Sequence, residues 1–103
     1  MNAPRVVPSP GVVDMVVEGR IRHLCPFVDE VDHGTVRVEW VTDGSTIELH
    51  SLRAYLAGWS EEKISHEQIT QKIRQDLEAL PGLTITVVST TWDTAGFRVE
   101  CSI

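Results

Sequence analysis

The period of the apolar residues changes twice along this chain, and the order of those changes limits the fold more than any other feature. Between Thr35 and Val41, Val36, Val38 and Trp40 alternate with Arg37 and Glu39, the period of a half-buried strand. Thr42-Asp43-Gly44-Ser45 follows, and Asp-Gly is a hairpin signal. Thr46 to Leu49 resumes the alternation, with Ile47 and Leu49 on one face and Glu48 on the other. From Ser51 the spacing becomes helical: Leu52, Tyr55, Leu56 and Trp59 share a face, with Ser51 as candidate N-cap. A second helix start is better marked. Ser65 and Gln68 form a capping-box pattern, and Ile64 and Ile69 stand where a hydrophobic staple would. Ile69, Ile73, Leu77 and Leu80 give its apolar stripe, and Pro81-Gly82 ends it. Alternation then returns in Leu83, Ile85 and Val87, and again in Phe97, Val99, Cys101 and Ile103, with a turn through Asp93-Thr94-Ala95-Gly96.

Strand, strand, helix, helix, strand, strand predicts an α+β domain. Short connections favour an antiparallel four-stranded sheet with two helices on one face. Val12 to Leu24 mixes valines with charges and predicts a short additional strand. Residues 1–11 hold three of the five prolines and are expected to form an irregular lead-in, leaving 12–103 as a single domain. A chain of 103 residues buries a thin core. Open sheet edges and a thin core together predict a homo-oligomer whose sheets join edge to edge into a barrel.

Composition removes several functions. The net charge of −6 argues against a protein that coats nucleic acid with a basic face. Apolar runs reach four or five residues at most, so no membrane span is expected. Two cysteines are too few for a disulfide scaffold, and no signal-peptide pattern opens the chain. A cytoplasmic, reducing location follows as the expectation. No CxxC or Cys/His cluster has zinc spacing, so no metal is predicted, and no glycine-rich phosphate loop is present.

Cys25-Pro26 stands in a loop with Asp32 seven residues on. A thiol with a carboxyl group nearby is a nucleophile with a proton donor, or else a small buried hydrophobe. His66-Glu67 opens the best-capped helix. There a carboxylate either complements the helix dipole or reads a polar ligand at the helix mouth. Glu48 reads as a solvated strand carboxylate, Cys101 as an apolar-face residue, and His23 and His50 as surface histidines. Trp40, Trp59 and Trp92 read as core or subunit contacts.

Three blocks together resemble a known family. Cys25-Pro-Phe-Val-Asp-Glu-Val-Asp32 resembles the Cys-Pro-x5-Asp motif of QueF-type 7-cyano-7-deazaguanine nitrile reductases. Glu48-Leu-His-Ser-Leu-Arg-Ala-Tyr55 resembles their cofactor motif, and His66-Glu67, followed by Ile73 and Asp76-Leu77, resembles their His-Glu helix. The resemblance implies the tunnelling fold, or T-fold, with active sites between subunits. It implies that Cys25 attacks the nitrile carbon to form a thioimide, Asp32 protonates the nitrogen, and His66 positions the substrate. It further implies that Glu67 and Glu48 bind the base, and that His50, Ser51 and Arg53 hold NADPH for reduction to the aminomethyl product. Departures stand in the cofactor motif, where His50 and Arg53 replace lysines, and at Ser60-Glu61, where the family has Arg-Asn. The related QueF-like amidinotransferases keep the cysteine and aspartate but let ammonia attack the thioimide, on nucleic acid. That branch is the alternative enzyme, and a non-catalytic binding or assembly module is the alternative outside enzymes.

Overall fold

The computed structural model describes residues 1–103. Its elements are β1 (Val6–Ser9), β2 (Asp14–Leu24), β3 (Val31–Thr42), β4 (Gly44–Ile47), α1 (Leu49–Ala57), α2 (His66–Glu78), β5 (Leu83–Thr94) and β6 (Phe97–Ser102). The main sheet is antiparallel and four-stranded, in the order β2-β3-β5-β6, and β1 pairs with β4 in a separate two-stranded sheet. No helix is long and apolar enough to cross a membrane.

The class matches the expectation, but the partner of β3 does not. The Asp43-Gly44 turn forms, with Gly44 at φ 99°, yet β4 leaves β3 and pairs with β1, Val6 opposite Ile47. The amides of Asp43 and Ser45 instead donate to the Gly82 carbonyl, which ties this turn to the α2–β5 connection. β3 pairs with β2 along the whole 11-residue length of β2, from Asp14 opposite Val41 to Leu24 opposite Val31. A ladder of that length outweighs a four-residue hairpin, so the segment expected to hold a short strand becomes a principal one. The lead-in of residues 1–11 likewise contains β1 instead of being irregular throughout. Pro8 is tolerated there because β1 has a single partner.

One face of the sheet forms the core. Val36, Val38 and Trp40 of β3 and Val88 and Trp92 of β5 are almost wholly buried, with Ile69, Ile73 and Leu77 of α2 and Leu52, Tyr55 and Leu56 of α1 in the same cluster. Each fully buried aliphatic side chain contributes roughly 1.5–3 kcal/mol. The Tyr55 hydroxyl donates to Asp76 Oδ2 at 2.7 Å and joins α1 to α2. Burial first, then the Asp76 carboxylate, pushes that hydroxyl well above its usual pKa, so it remains a donor. The opposite face is polar: Arg37 bonds Glu18 at 2.8 Å and Glu39 at 3.0 Å.

The α2 start is capped as its sequence predicts, with the Ser65 hydroxyl accepting from the Gln68 amide and Gln68 answering the Ser65 amide. α1 differs. Its N-cap is Glu48, three residues before the expected Ser51, so Leu49 belongs to the helix and is not the end of a strand. Where β3 crosses β5, Gly34 lies opposite Trp92. A Cβ on Gly34 would drive into the Thr91 carbonyl and the Trp92 indole. Gly34→Ala is therefore expected to lower unfolding free energy by about 1–3 kcal/mol through overpacking. Urea denaturation of the two proteins measures it.

Candidate functional site

The register of β2 against β3 sets His23 directly opposite Asp32, with both side chains on the core face. His23 was expected at the surface. It is fully buried because β2 runs on to Leu24, keeping residue 23 in phase with buried Ile21. His66, the first residue of α2, reaches the same point: its Nε2 lies 3.0 Å from Asp32 Oδ2, and His23 Nε2 lies 3.4 Å from that oxygen. Trp92 walls the cluster, stacked on the His66 ring at 4.9 Å and edge-on to His23 at 4.6 Å. A run of hydrogen bonds holds this wall in place. Trp92 Nε1–H donates to Thr90 Oγ1 at 2.9 Å, Thr90 and Thr70 share a 2.6 Å bond, and the Thr70 hydroxyl donates to the His66 carbonyl at 2.7 Å. His23 is fixed from behind by Nδ1–H donating to the Leu24 carbonyl at 3.0 Å. Burial lowers its pKa, outweighing that carbonyl, so the ring is neutral at neutral pH.

Cys25 follows directly on β2 and is half-buried. Its amide donates to the Glu30 carbonyl at 3.0 Å, which closes the loop. The thiol is free and lines a small cavity of about 180 Å³ with Val28, Asp29, Glu30 and Lys63. Lys63 arrives because the segment before α2 docks along the end of β2, with the Leu24 amide donating to Glu62 and the Ile64 amide donating to Leu24. No local pattern marked Lys63, since only tertiary docking brings it to the cavity that Cys25 lines. His23 did carry a signal, in the two-residue phase of β2.

Glu67 is exposed on the first turn of α2 beside His66. It lies near Cys101, whose thiol pKa is raised chiefly by burial and then by the Glu67 charge. Cys101 is thus held as a neutral thiol, in keeping with its reading as an apolar-face residue.

Glu48 is engaged elsewhere. Its carboxylate accepts from the His50 amide at 3.1 Å and the Ser51 amide at 2.6 Å, bonds His50 Nδ1 at 2.9 Å, and faces Arg5 at 3.7 Å. None of these bonds involves Cys25, Asp32, His66 or Glu67. The Ser51 hydroxyl donates to the Glu48 carbonyl and accepts from the Arg5 amide. His50 and Ser51 line a cavity with the N-terminal residues, whereas Arg53 lines a different one, of about 500 Å³, with Arg20, Leu49 and Leu56. The three residues expected to hold a dinucleotide therefore divide between two sides of α1, and two of them are already occupied in its cap. They do not fit such a cofactor as one set.

The fold has the architecture of the tunnelling folds. It superposes on the crystal structure of the archaeosine synthase QueF-Like in the apo form with a TM-score of 0.75, covering 92% of this chain and 93% of that one at 22% identity. The family model described as QueF-like protein matches residues 31–99, and the chain belongs to that family. Among curated proteins it is similar to the NADPH-dependent 7-cyano-7-deazaguanine reductases of Chlorobium luteolum, 31% identical over 85 residues, and Chlorobaculum tepidum, 35% over 86. Each match covers 82% of this chain and 73% of the relative. The corresponding reductase of Prochlorococcus marinus is 38% identical over 52 residues, half of this chain and 37% of the relative.

The Glu48 cap has a pH signature. Its backbone partners, led by the Ser51 amide, draw its pKa from 4.5 down to about 2. A depressed carboxylate stabilises fully above its unfolded pKa, and that contribution disappears as pH falls through the folded one. Glu48→Gln is expected to melt below the native protein at pH 7, and the two melting temperatures should converge near pH 2. Parallel thermal melts across that range check it.

Proposed function

We propose that this chain is an enzyme of the QueF family that acts on the nitrile of 7-cyano-7-deazaguanine, with Cys25 as nucleophile and Asp32 as proton donor. The observation that carries the reading is the 3.0 Å contact between Asp32 and His66. It joins two sequence blocks that are 34 residues apart, and Cys25 follows directly on the strand that faces Asp32. Sγ attacks the nitrile carbon, one carbon–nitrogen π bond opens onto nitrogen, and Asp32 supplies the proton that completes the thioimide. Lys63 in the Cys25 cavity is the counter-charge that a thiolate nucleophile requires. His66 holds the Asp32 carboxyl, and Glu67 accepts the N–H groups of the base.

The relatives' names support reduction of that thioimide with NADPH to the aminomethyl product. The engagement of His50 and Ser51 in the α1 cap favours a second fate, in which ammonia displaces the Cys25 thiol and leaves an amidine. β2 and β6 are the open edges of the main sheet, the strands through which copies of the chain would join into a homo-oligomer. No step takes place in a membrane, and nucleic acid is a partner only for the amidine fate.

Mixing the protein with 7-cyano-7-deazaguanine should give a single adduct by intact-mass spectrometry, lost in Cys25→Ala. An adduct of full strength in that variant rejects the nucleophile. NADPH oxidation on addition of that cofactor identifies the reductive fate, and amidine formation with ammonium alone identifies the other. Glu67→Gln tests base recognition separately. Charge-assisted bonds contribute about 1.5–3 kcal/mol each, so affinity for the base should fall roughly ten- to a hundredfold. Isothermal titration reads this, and unchanged affinity with a lower melting temperature would make Glu67 only a partner of the helix dipole.

A further inference from the structure

His23, Asp32 and His66 converge on a point that their hydrogen bonds leave unfilled. One donor atom from each lies within 4.8 Å of the other two. His23 Nδ1 donates to the Leu24 carbonyl, which leaves Nε2 as the ring nitrogen turned to the cluster. That nitrogen is buried without a hydrogen-bond partner, and it faces Asp32 Oδ2 at 3.4 Å. A buried nitrogen and a buried carboxyl oxygen this close, not hydrogen-bonded to each other and shut away from water, leave room for a further partner between them.

We propose that His23, Asp32 and His66 form a binding site for a divalent transition-metal ion of the zinc type. Donors about 2.1 Å from a shared tetrahedral centre stand ~3.4 Å apart, close to the 3.4 Å and 3.0 Å separations from Asp32 Oδ2 to His23 and His66. Two imidazoles and one carboxylate select zinc, cobalt or iron over magnesium or calcium, which take oxygen ligands. The outer shell matches as well. Metal-bound histidines donate their second N–H to a carbonyl or carboxylate, as His23 does to Leu24. Trp92 stacks on the His66 ring, and the Thr70 hydroxyl, bonded to Thr90, holds the His66 carbonyl. On metal binding, His66 shifts its proton to Nδ1 and exchanges its bond to Asp32 for the ion. Three protein ligands leave one position for water, reached from the side where His66 is 15% exposed. A bound ion would occupy the oxygen that Asp32 needs as a proton donor, so the loaded form would be silent in nitrile chemistry. The site itself assumes nothing about that reaction.

The test uses the native protein stripped by a chelator and titrated with Co2+, then Zn2+. Expected are saturable uptake of one ion per chain, the visible ligand-field bands of four-coordinate Co2+ without thiolate charge-transfer bands, and displacement by Zn2+. Cys25→Ser should leave the spectrum unchanged, and His23→Gln should weaken binding by roughly tenfold or more. His66→Gln, at the exposed side, should weaken it likewise and serves if the His23 variant does not fold. Absence of one-to-one uptake overturns the proposal, as do thiolate bands that vanish in Cys25→Ser or undiminished binding in a folded histidine variant. The adduct at Cys25 is read on the stripped protein and ion uptake is read without nitrile, so the two readings fail separately.

Discussion

A carboxyl group taken out of water costs several kcal/mol unless partners replace its hydration, and Asp32 is buried on the core face of β3. Its hydrogen-bond partner is His66, from the first turn of α2, and His23 faces the same oxygen at 3.4 Å across the β2–β3 ladder. The local fold serves that meeting. The 11-residue pairing of β2 with β3 sets His23 against Asp32. The Ser65–Gln68 capping box sets where α2 begins, and therefore where His66 stands. Gly34 leaves the space that the Trp92 indole fills beside both rings.

The proposed chemistry draws on this arrangement. Cys25 leaves the sheet two residues after His23, at the point where β2 ends and backbone pairing with Glu30 turns the chain back. A strand end is a suitable place for a nucleophile, since it is carried by a rigid ladder yet free of the ladder's packing. Asp32, the proposed acid, is held in the buried cluster with His23 and Trp92, and Glu67, proposed to read the base, is one residue beyond His66. Two of the three motif blocks are thus tied to the end of the sheet where β2 turns and α2 starts, and the third stands at α1. There the geometry describes a helix cap: Glu48 is committed to backbone amides, and His50 to Glu48.

The helices and the strands after them were legible because their signals are local. The stripe of Ile69, Ile73 and Leu77, the Ser65 cap, and the Ala95-Gly96 turn with φ of 52° and 80° each lie within a few residues. Strand partnership was not legible. Alternation says that residues 35–41 form a strand and says nothing of what pairs with it, so β4 stood in for β2. The same gap hid the site. Asp32 and His66 were named from motifs, but His23 became visible only through the register that buries it. Lys63 entered the Cys25 cavity through a docked loop that leaves no pattern. Ligands at positions 23, 32 and 66 have no metal spacing in sequence because two strands and a helix supply one each.

The central claim is that the Cys25 and Asp32 end of the sheet is where the substrate nitrile reacts. A crystal structure of the protein soaked with 7-cyano-7-deazaguanine tests it most directly. The account predicts continuous density from Cys25 Sγ to the former nitrile carbon, the nitrogen turned toward Asp32, and the base edge against Glu67. Base density in the cavity beside Arg20 and Arg53, with an unmodified Cys25, would contradict it.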